Sequence, residues 1–263
     1  MPNIAIMTDS NCGIMPPEGS SYGIHILPMP VIINGETYFE GVDIQPDEFY
    51  KMQEAGAAVS TSQPSPGDVT GMWDRLLRTY DEIVFIPMSS GLSSSCQTAL
   101  LLAEDEPYEG KVFVIDNHRI SVTQAVAVLD AKRLADAGKS GREIKNILES
   151  EAMDATIFIA VDTLEYLKKG GRITAAAAAL GTILRIKPVL TIQGGKLDLF
   201  GKARGVESAF RLMLEALHAD IQSRFSGLKE QGLLKIGLAN TRMDSDKLEH
   251  FKSMLQAEFP DME

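Results

Sequence analysis

Ile83-Val84-Phe85-Ile86, Pro87-Met88, Ser89-Ser90-Gly91-Leu92-Ser93-Ser94-Ser95 and Cys96 through Ala103 follow one another without a break, and the fold turns on reading them together. Four β-branched or aromatic apolar residues in a row read as a buried strand. The hydroxyl-rich loop after them leads straight into a helical segment. Strand, polar loop and helix in that order form the repeating unit of an α/β protein, and the same alternation of short apolar runs with helical segments extends in both directions.

Upstream, Ile4 to Met7 reads as a first strand, followed at once by Thr8, Asp9 and Ser10. Val31 to Ile33 and Thr37 to Phe39 flank Asn34-Gly35, which predicts a hairpin with a type I′ turn. Pro46 opens a short helix with Phe49 and Met52 on one side. Ser65 and Pro66 are the N-cap and first residue of a helix carrying Val69, Met72, Trp73, Leu76 and Leu77. Downstream, Val112 to Ile115 is a strand, a long helix runs from about Ile120 to Ala137, and Ser140 with Glu143 forms a capping box for the next.

The pattern then changes. Thr156 to Val161 is a strand, a short helix ends at Gly170 and Gly171, and an alanine-rich helix covers Ala175 to Leu184. Val189 to Ile192 and Lys196 to Leu199 flank Gly194-Gly195 as an antiparallel hairpin. A helix from about Val206 to Phe225, a strand from Leu234 to Ala239 and a helix from about Ser245 to Phe259 follow. The expectation is an α/β fold of two domains. Residues 1–155 hold a mostly parallel sheet flanked by helices, and 156–263 hold a mixed or antiparallel α/β domain.

With 44% hydrophobic and 23% charged residues the chain has the balance of a folded, soluble protein. The net charge of −11 argues against nucleic acid as a partner. Between Asp162 and Arg211, however, nine Lys or Arg face four Asp or Glu, leaving that segment at +5 and the rest at −16. Such a segment suits an anion or an acidic partner, or it is simply a solvated basic face. Two cysteines and four scattered histidines have neither metal-ligand nor disulfide spacing. No apolar run approaches the roughly 20 residues of a membrane span, so reduced thiols, a cytoplasmic location and no stable membrane insertion are expected, with no metal and no cofactor.

Two hydroxyl-rich loops stand directly before helices, Thr61-Ser62-Gln63-Pro64-Ser65-Pro66 and Ser89 to Ser95. The first turn of a helix leaves N–H groups without acceptors and favours negative charge, so a carboxylate or phosphate suits such a place. Serine and threonine supply donors without positive charge. The plainer alternative is that these residues only cap their helices. Thr8, Asp9 and Ser10 should share the edge of the sheet where ligands of open α/β sheets gather, with Asp9 organising the loops by accepting hydroxyl or N–H bonds. Serine chemistry at Ser93 is a competing reading, but the G-x-S-x-G elbow is absent and no histidine is tied to it in sequence. Nor is there a G-x-x-x-x-G-K-[ST] loop for a nucleotide. Lys168-Lys169-Gly170-Gly171-Arg172 and Lys202-Ala203-Arg204-Gly205 read as two basic turns, able to steady a phosphate or dock a partner.

The succession Thr8-Asp9-Ser10, Thr61-Ser62-Gln63-Pro64-Ser65, Ser89-Ser90-Gly91-Leu92-Ser93, Leu164 to Ile173 (LEYLKKGGRI), Ile186-Lys187-Pro188-Val189-Leu190 and Lys202-Ala203-Arg204 closely resembles the DegV family over nearly the whole chain. The resemblance implies a two-domain α/β protein that buries a long-chain fatty acid. It further implies an acyl-binding subunit, without turnover of its own, that presents the carboxylate to a separate ATP-dependent kinase subunit for conversion to an acyl-phosphate used in phospholipid synthesis. Carried over by position, Thr61 or Ser62 and the Gly91-Leu92-Ser93 turn, with the N–H of Ser94, hold the carboxylate. Asp9 and Ser10 organise the loops, and Arg172, Lys202 and Arg204 face the kinase or the transferred phosphate; no residue is catalytic. This sequence departs from the family in reading Ser93-Ser94-Ser95-Cys96 where a glycine and a threonine usually follow the serine. The family's closing strand and histidine-glycine segment do not occur in the residues up to Glu263. An esterase or thioesterase using Ser93, and a regulatory module that senses a lipid without passing it on, are the alternatives.

Overall fold

The structure, a computed structural model, describes residues 2–179 and 186–262. It divides into two compact units, Met1–Ala155 and Thr156–Glu263.

The first unit begins with β1 (Ile4–Asp9), α1 (Pro16–Gly19), β2 (His25–Leu27), β3 (Pro30–Ile33), β4 (Glu36–Phe39) and α2 (Pro46–Glu54). It continues with β5 (Val59–Thr61), α3 (Pro66–Leu76), β6 (Glu82–Ile86), α4 (Ser95–Ala103), β7 (Val112–Val114), α5 (Ser121–Asp136) and α6 (Gly141–Ser150). Strands β2, β1, β6 and β7 lie side by side in that order, all parallel. β1 and β6 are central, which is why they are apolar on both faces. Ala5, Met7, Ile83 and Phe85 point to one side and pack with Val69, Trp73 and Leu76 of α3 and with Cys96 and Ala99 of α4. Ile6, Val84 and Ile86 point to the other and pack with Val128 and Ala131 of α5 and Ile144 and Leu148 of α6. A period of two along the strands thus feeds two helical layers whose apolar residues recur every three or four positions. Trp73 is fully buried, so Trp73→Ala should cost about 3 to 5 kcal/mol.

A second, antiparallel sheet of order β4-β3-β5 belongs to the same unit. Asn34 and Gly35 both have positive φ, 52° and 89°, as the I′ turn between β3 and β4 demands. The loop that starts at Thr61 therefore leaves this sheet and not the parallel one. Val59–Thr61 pairs with Val31–Ile33, which the hairpin had already drawn away from β1.

The second unit contains β8 (Ile157–Ala160), α7 (Glu165–Gly170), α8 (Ala175–Ala178), β9 (Ile186–Ile192), β10 (Asp198–Arg204), α9 (Gly205–Gln222), α10 (Ser226–Glu230) and α11 (Ser245–Glu258). Its sheet has the order β10-β9-β8 and is antiparallel throughout. α9 lies on this sheet so closely that a Cβ on Gly201 would come within 2.8 Å of the Leu212 side chain. The expected hairpin about Gly194-Gly195 is present, with both strands longer than the apolar residues alone suggested. Of the alanine-rich helix expected over Ala175 to Leu184, residues 180–184 lie outside the described residues.

Two readings are corrected. Lys202 and Arg204 are not in a turn: they lie within β10, opposite Pro188 and Ile186. Leu234–Ala239 has no regular secondary structure and pairs with no strand among the described residues. Leu234, Ile236 and Leu238 rest on the cluster of Phe210, Leu214 and Phe251 while Lys235, Gly237 and Ala239 are exposed. Alternation in sequence reports one-sided burial, and burial on a helical layer produces it without a ladder.

Candidate functional site

Parallel strands deliver their following loops to one edge, and at that edge stand Asp9 and Ser10 after β1, Met88 to Ser95 after β6, and Asp116 to Ile120 after β7. Asp9 is buried to 1% exposure. Its carboxylate accepts from Met88 N at 2.8 Å, Asn11 N at 3.1 Å, Asn11 Nδ2 at 3.0 Å and Gln124 Nε2 at 3.1 Å. Burial nevertheless pushes its carboxyl above the usual range, against the pull of these donors. Gln124, itself fully buried on α5, also donates to Thr8 Oγ1 and Ile86 O. It clamps the ends of β1 and β6 together and was not foreseen, since a glutamine inside an amphipathic helix gives no signal in sequence.

Asp9 thus holds the first residue of the serine loop. From there the chain winds as a turn: Leu92 N and Ser93 N both donate to Ser89 O, at 3.0 and 3.2 Å, and Gly91 N donates to Ser89 Oγ at 3.1 Å. Ser90 N reaches Asp116 Oδ1 at 3.3 Å, and Ser89 N donates to Arg119 O at 2.9 Å, so the loop after β7 braces it from behind. Ser93 Oγ accepts Ser95 N at 3.2 Å. The N–H groups of Ser94, Cys96 and Gln97 have no acceptor among the described residues, α4 has no acid in its first turn, and its N-cap Ser94 makes no capping bond. Ser94 and Gly91 are exposed, Ser93 is half-buried, and Leu92 faces inward.

Ser10, 2% exposed, works on the other sheet. Its Oγ accepts Met29 N at 3.0 Å and donates to Glu40 Oε2 at 2.6 Å. Met29 and Glu40 sit where β3 begins and β4 ends, and Thr61 pairs with Val31 at that same end. Thr61 and Ser62 are exposed there. Gln63 Oε1 accepts from Thr98 Oγ1 at 3.2 Å, which ties the loop after β5 to α4, the helix that the serine loop leads into. Asp9 and Ser10, adjacent in the chain, are thus tied respectively to the head of the serine loop and to the sheet end from which Thr61 and Ser62 leave.

Of the histidines of the first unit, His118 stands at this edge in the loop after β7, and His25 opens β2. His25 Nε2 pairs with Tyr80 OH at 3.3 Å and its pKa is lowered by burial, and His118 Nδ1 lies 3.5 Å from Asp116 Oδ1. Among the described residues neither bonds Ser93, whose hydroxyl accepts Ser95 N. No group of three or more potential metal ligands occurs among the described residues. No helix there is long and apolar enough to cross a membrane.

In the second unit Lys202 and Arg204 are exposed two residues apart, on one face of β10. Arg172, also exposed, is at the opposite end of that strand: Leu197 N donates to its carbonyl at 2.8 Å, and its guanidinium donates to Gly170 O. Seven residues of extended chain, about 23 Å, separate Leu197 from Arg204, so the three basic residues do not form one cluster.

Comparison with known proteins places these features in a group. The family model described as "Uncharacterised protein, DegV family" matches residues 3–263. A DegV domain-containing protein of Deinococcus radiodurans is 33% identical over 236 residues, 89% of this chain and 83% of that protein. One from Caldanaerobacter subterraneus subsp. tengcongensis is 33% identical over 215 residues, 82% of this chain and 76% of that protein. Among solved structures, a DegV family protein from Thermus thermophilus, described as fatty acid binding, is 34% identical with a TM-score of 0.75, covering 84% of this chain and 79% of that one. DegV from Bacillus subtilis, described as a fatty acid binding protein, is 26% identical with a TM-score of 0.80, covering 100% and 91%. With a family model spanning the chain and relatives a third identical over most of their length, this chain belongs to the DegV family.

Proposed function

We propose that the protein binds a long-chain fatty acid by its carboxylate at the start of α4 and presents that head group to a separate ATP-dependent kinase subunit. The open N-terminus of α4 carries this reading. The N–H groups of Ser94, Cys96 and Gln97, which have no acceptor among the described residues, and the hydroxyls of Ser93, Thr61 and Ser62 would make a cradle of neutral donors suited to a carboxylate. Relatives described as fatty acid binding support the identity of the ligand. An acyl tail gains about 0.8 kcal/mol per buried methylene, so for some sixteen carbons the tail supplies most of the affinity and the cradle supplies orientation.

Phosphoryl transfer to a carboxylate needs the head group reachable by the kinase and positive charge near the developing phosphate. We assign Lys202 and Arg204, exposed on one face of β10, and Arg172, at the far end of that strand, to contact with the kinase partner. Native mass spectrometry of the purified protein tests the first half: one discrete added mass of a fatty acid is expected. Ser93→Ala should then weaken binding by about 1 to 3 kcal/mol. A protein that takes up no fatty acid, or a Ser93→Ala variant indistinguishable from wild type, defeats the assignment. The second half is tested with a kinase subunit. Lys202→Ala and Arg204→Ala should keep the fatty acid and lose acyl-phosphate formation, and wild-type rates in both would remove β10 from the docking face.

A further inference from the structure

Glu40 lies outside every motif in the sequence, yet it sits at the joint between the two sheets that carry the two loops. It follows β4, its N–H donates to Met29 O at 3.1 Å, and its partly buried carboxylate has Ser10 Oγ as its one donor among the described residues. That contact, at 2.6 Å, has the length of a charge-assisted bond. Ser10 passes the constraint on. It follows Asp9 in the chain, and Asp9 fixes Met88 at the head of the serine loop, while Ser10 Oγ also receives Met29 N at the end of the antiparallel sheet from which Thr61 and Ser62 depart. A single serine hydroxyl, oriented by Glu40, therefore sets where one loop stands relative to the other.

We propose that Glu40 is a positioning residue for the head-group site, acting through Ser10 to hold Thr61 and Ser62 at the distance from Ser93 and Ser94 that one carboxylate can span. The proposal rests on the fatty-acid reading above and adds a residue to it. Asp9 accepts from four donor groups whereas Glu40 accepts from one, so Glu40 is the weaker member of the pair. Burial holds its carboxyl above the usual range, the Ser10 bond works against this, and the charge of Asp9 adds to the rise. Close to Glu40 in the chain, exposed Asp43 accepts Phe39 N at 3.0 Å, and close to Ser10 the Cys12 thiol is pushed up to about 11 chiefly by burial. When Glu40 takes up a proton the bond to Ser10 becomes a neutral one of roughly half the strength. The two loops are then less firmly spaced, and the ligand is held less tightly.

The test compares wild type with Glu40→Gln, which keeps the shape and an acceptor oxygen but not the charge, using a fluorescent sixteen-carbon fatty acid as probe. At pH 7.5 the variant should bind roughly threefold to tenfold more weakly. The ratio of the two dissociation constants should fall toward one as the pH is lowered and wild-type Glu40 takes up its proton; the probe's own carboxyl titrates equally in both and cancels in the ratio. Ser10→Ala should weaken binding similarly, and the double variant should be no worse than the single ones. A ratio that is flat with pH, or equal affinities throughout, overturns the proposal. Unliganded protein provides an arm that does not depend on the ligand: amide exchange at Met29, Thr61 and Ser62 should be faster in Glu40→Gln. Unchanged exchange refutes the positioning role even if wild type binds no fatty acid, whereas a wild type that fails to bind while exchange responds refutes only the ligand.

Discussion

Ser65-Pro66-Gly67-Asp68 and Ser94-Ser95-Cys96-Gln97 are the same short pattern, a serine followed three residues later by a side chain able to reach back. They begin helices packed on one face of one sheet. α3 closes on itself: Ser65 Oγ accepts Asp68 N at 3.1 Å, and the Asp68 carboxylate accepts Ser65 N at 3.2 Å and Ser65 Oγ at 2.6 Å. α4 does not. Ser65 has the extended backbone of an N-cap, with ψ 150°, whereas Ser94 stands at ψ −3°, already helical, because the turn from Ser89 to Ser93 winds directly into the helix. An N-cap side chain reaches the third N–H only from the extended conformation. The difference in one torsion leaves one helix start complete as structure and the other able to receive an acceptor from outside.

Removing the prop of the open start should have the largest effect. Asp9→Ala leaves the buried Met88 N without its acceptor, at about 1 to 3 kcal/mol, while the Gln124 amide keeps Thr8 Oγ1 and Ile86 O. Denaturant unfolding should show a loss of about 1 to 3 kcal/mol, together with loss of fatty acid binding. A loss below about 1 kcal/mol would mean that the loop stands without Asp9, and the contrast between the helices would need another cause.

Filling the open start comes next. Gln97→Glu puts a carboxylate in the first turn of α4, at the position Asp68 occupies in α3. Repulsion of a ligand carboxylate within a few ångströms at a surface-like dielectric should weaken binding roughly tenfold, while stability is unchanged or slightly raised by the helix dipole. Unaltered affinity by titration with a fluorescent fatty acid would place the head group elsewhere. Opening the closed start is the converse. Ser65→Ala should cost about 1 kcal/mol of stability and leave the dissociation constant within about twofold, and a larger change in binding would show that α3 takes part in the site.

The order of elements, the I′ turn and the strand-loop-helix unit of residues 83–103 are legible in the sequence because each depends on neighbours in the chain. Ser93 and Thr61 stand out for the same reason. Glu40 and Gln124 do not: their partners are Ser10, thirty residues away, and Thr8 and Asp9, more than a hundred away, and an isolated glutamate or glutamine has no local signature. The strand expected at Leu234–Ala239 and the turn expected at Lys202–Gly205 fail for a related reason, since alternation and charge describe burial and exposure while pairing needs a second segment. The two capping patterns show the limit most directly. The residue types three apart are alike at the two starts, and only the backbone set by the preceding turn decides which one closes.

The smallest effect concerns a third helix start, and it checks the backbone argument itself. At α6 Ser140 has the extended N-cap conformation, and Glu143 accepts Ser140 N at 2.9 Å and Ser140 Oγ at 2.8 Å. These bonds, with Lys139 beside them, hold the Glu143 carboxyl down to about 2 from 4.5. The bonded form is the ionised one, so between pH about 4.5 and about 2 the unfolded chain binds more protons than the native one, and this contribution to stability is lost as pH falls through that window. Above about 4.5 it is complete. Glu143 is fully exposed and screened by solvent, so Glu143→Gln should only flatten the acid limb of the stability profile and leave neutral pH untouched. The same titration, followed by NMR in Gln97→Glu, sharpens the comparison. If the helical backbone at Ser94 is what keeps α4 open, the carboxyl introduced there finds no box and titrates in the ordinary glutamate range, while Glu143 in the same molecule titrates far below it. A carboxyl at position 97 held as low as Glu143 would mean that Ser94 can turn outward to close the helix, and that α4 is open only because its third residue is a glutamine.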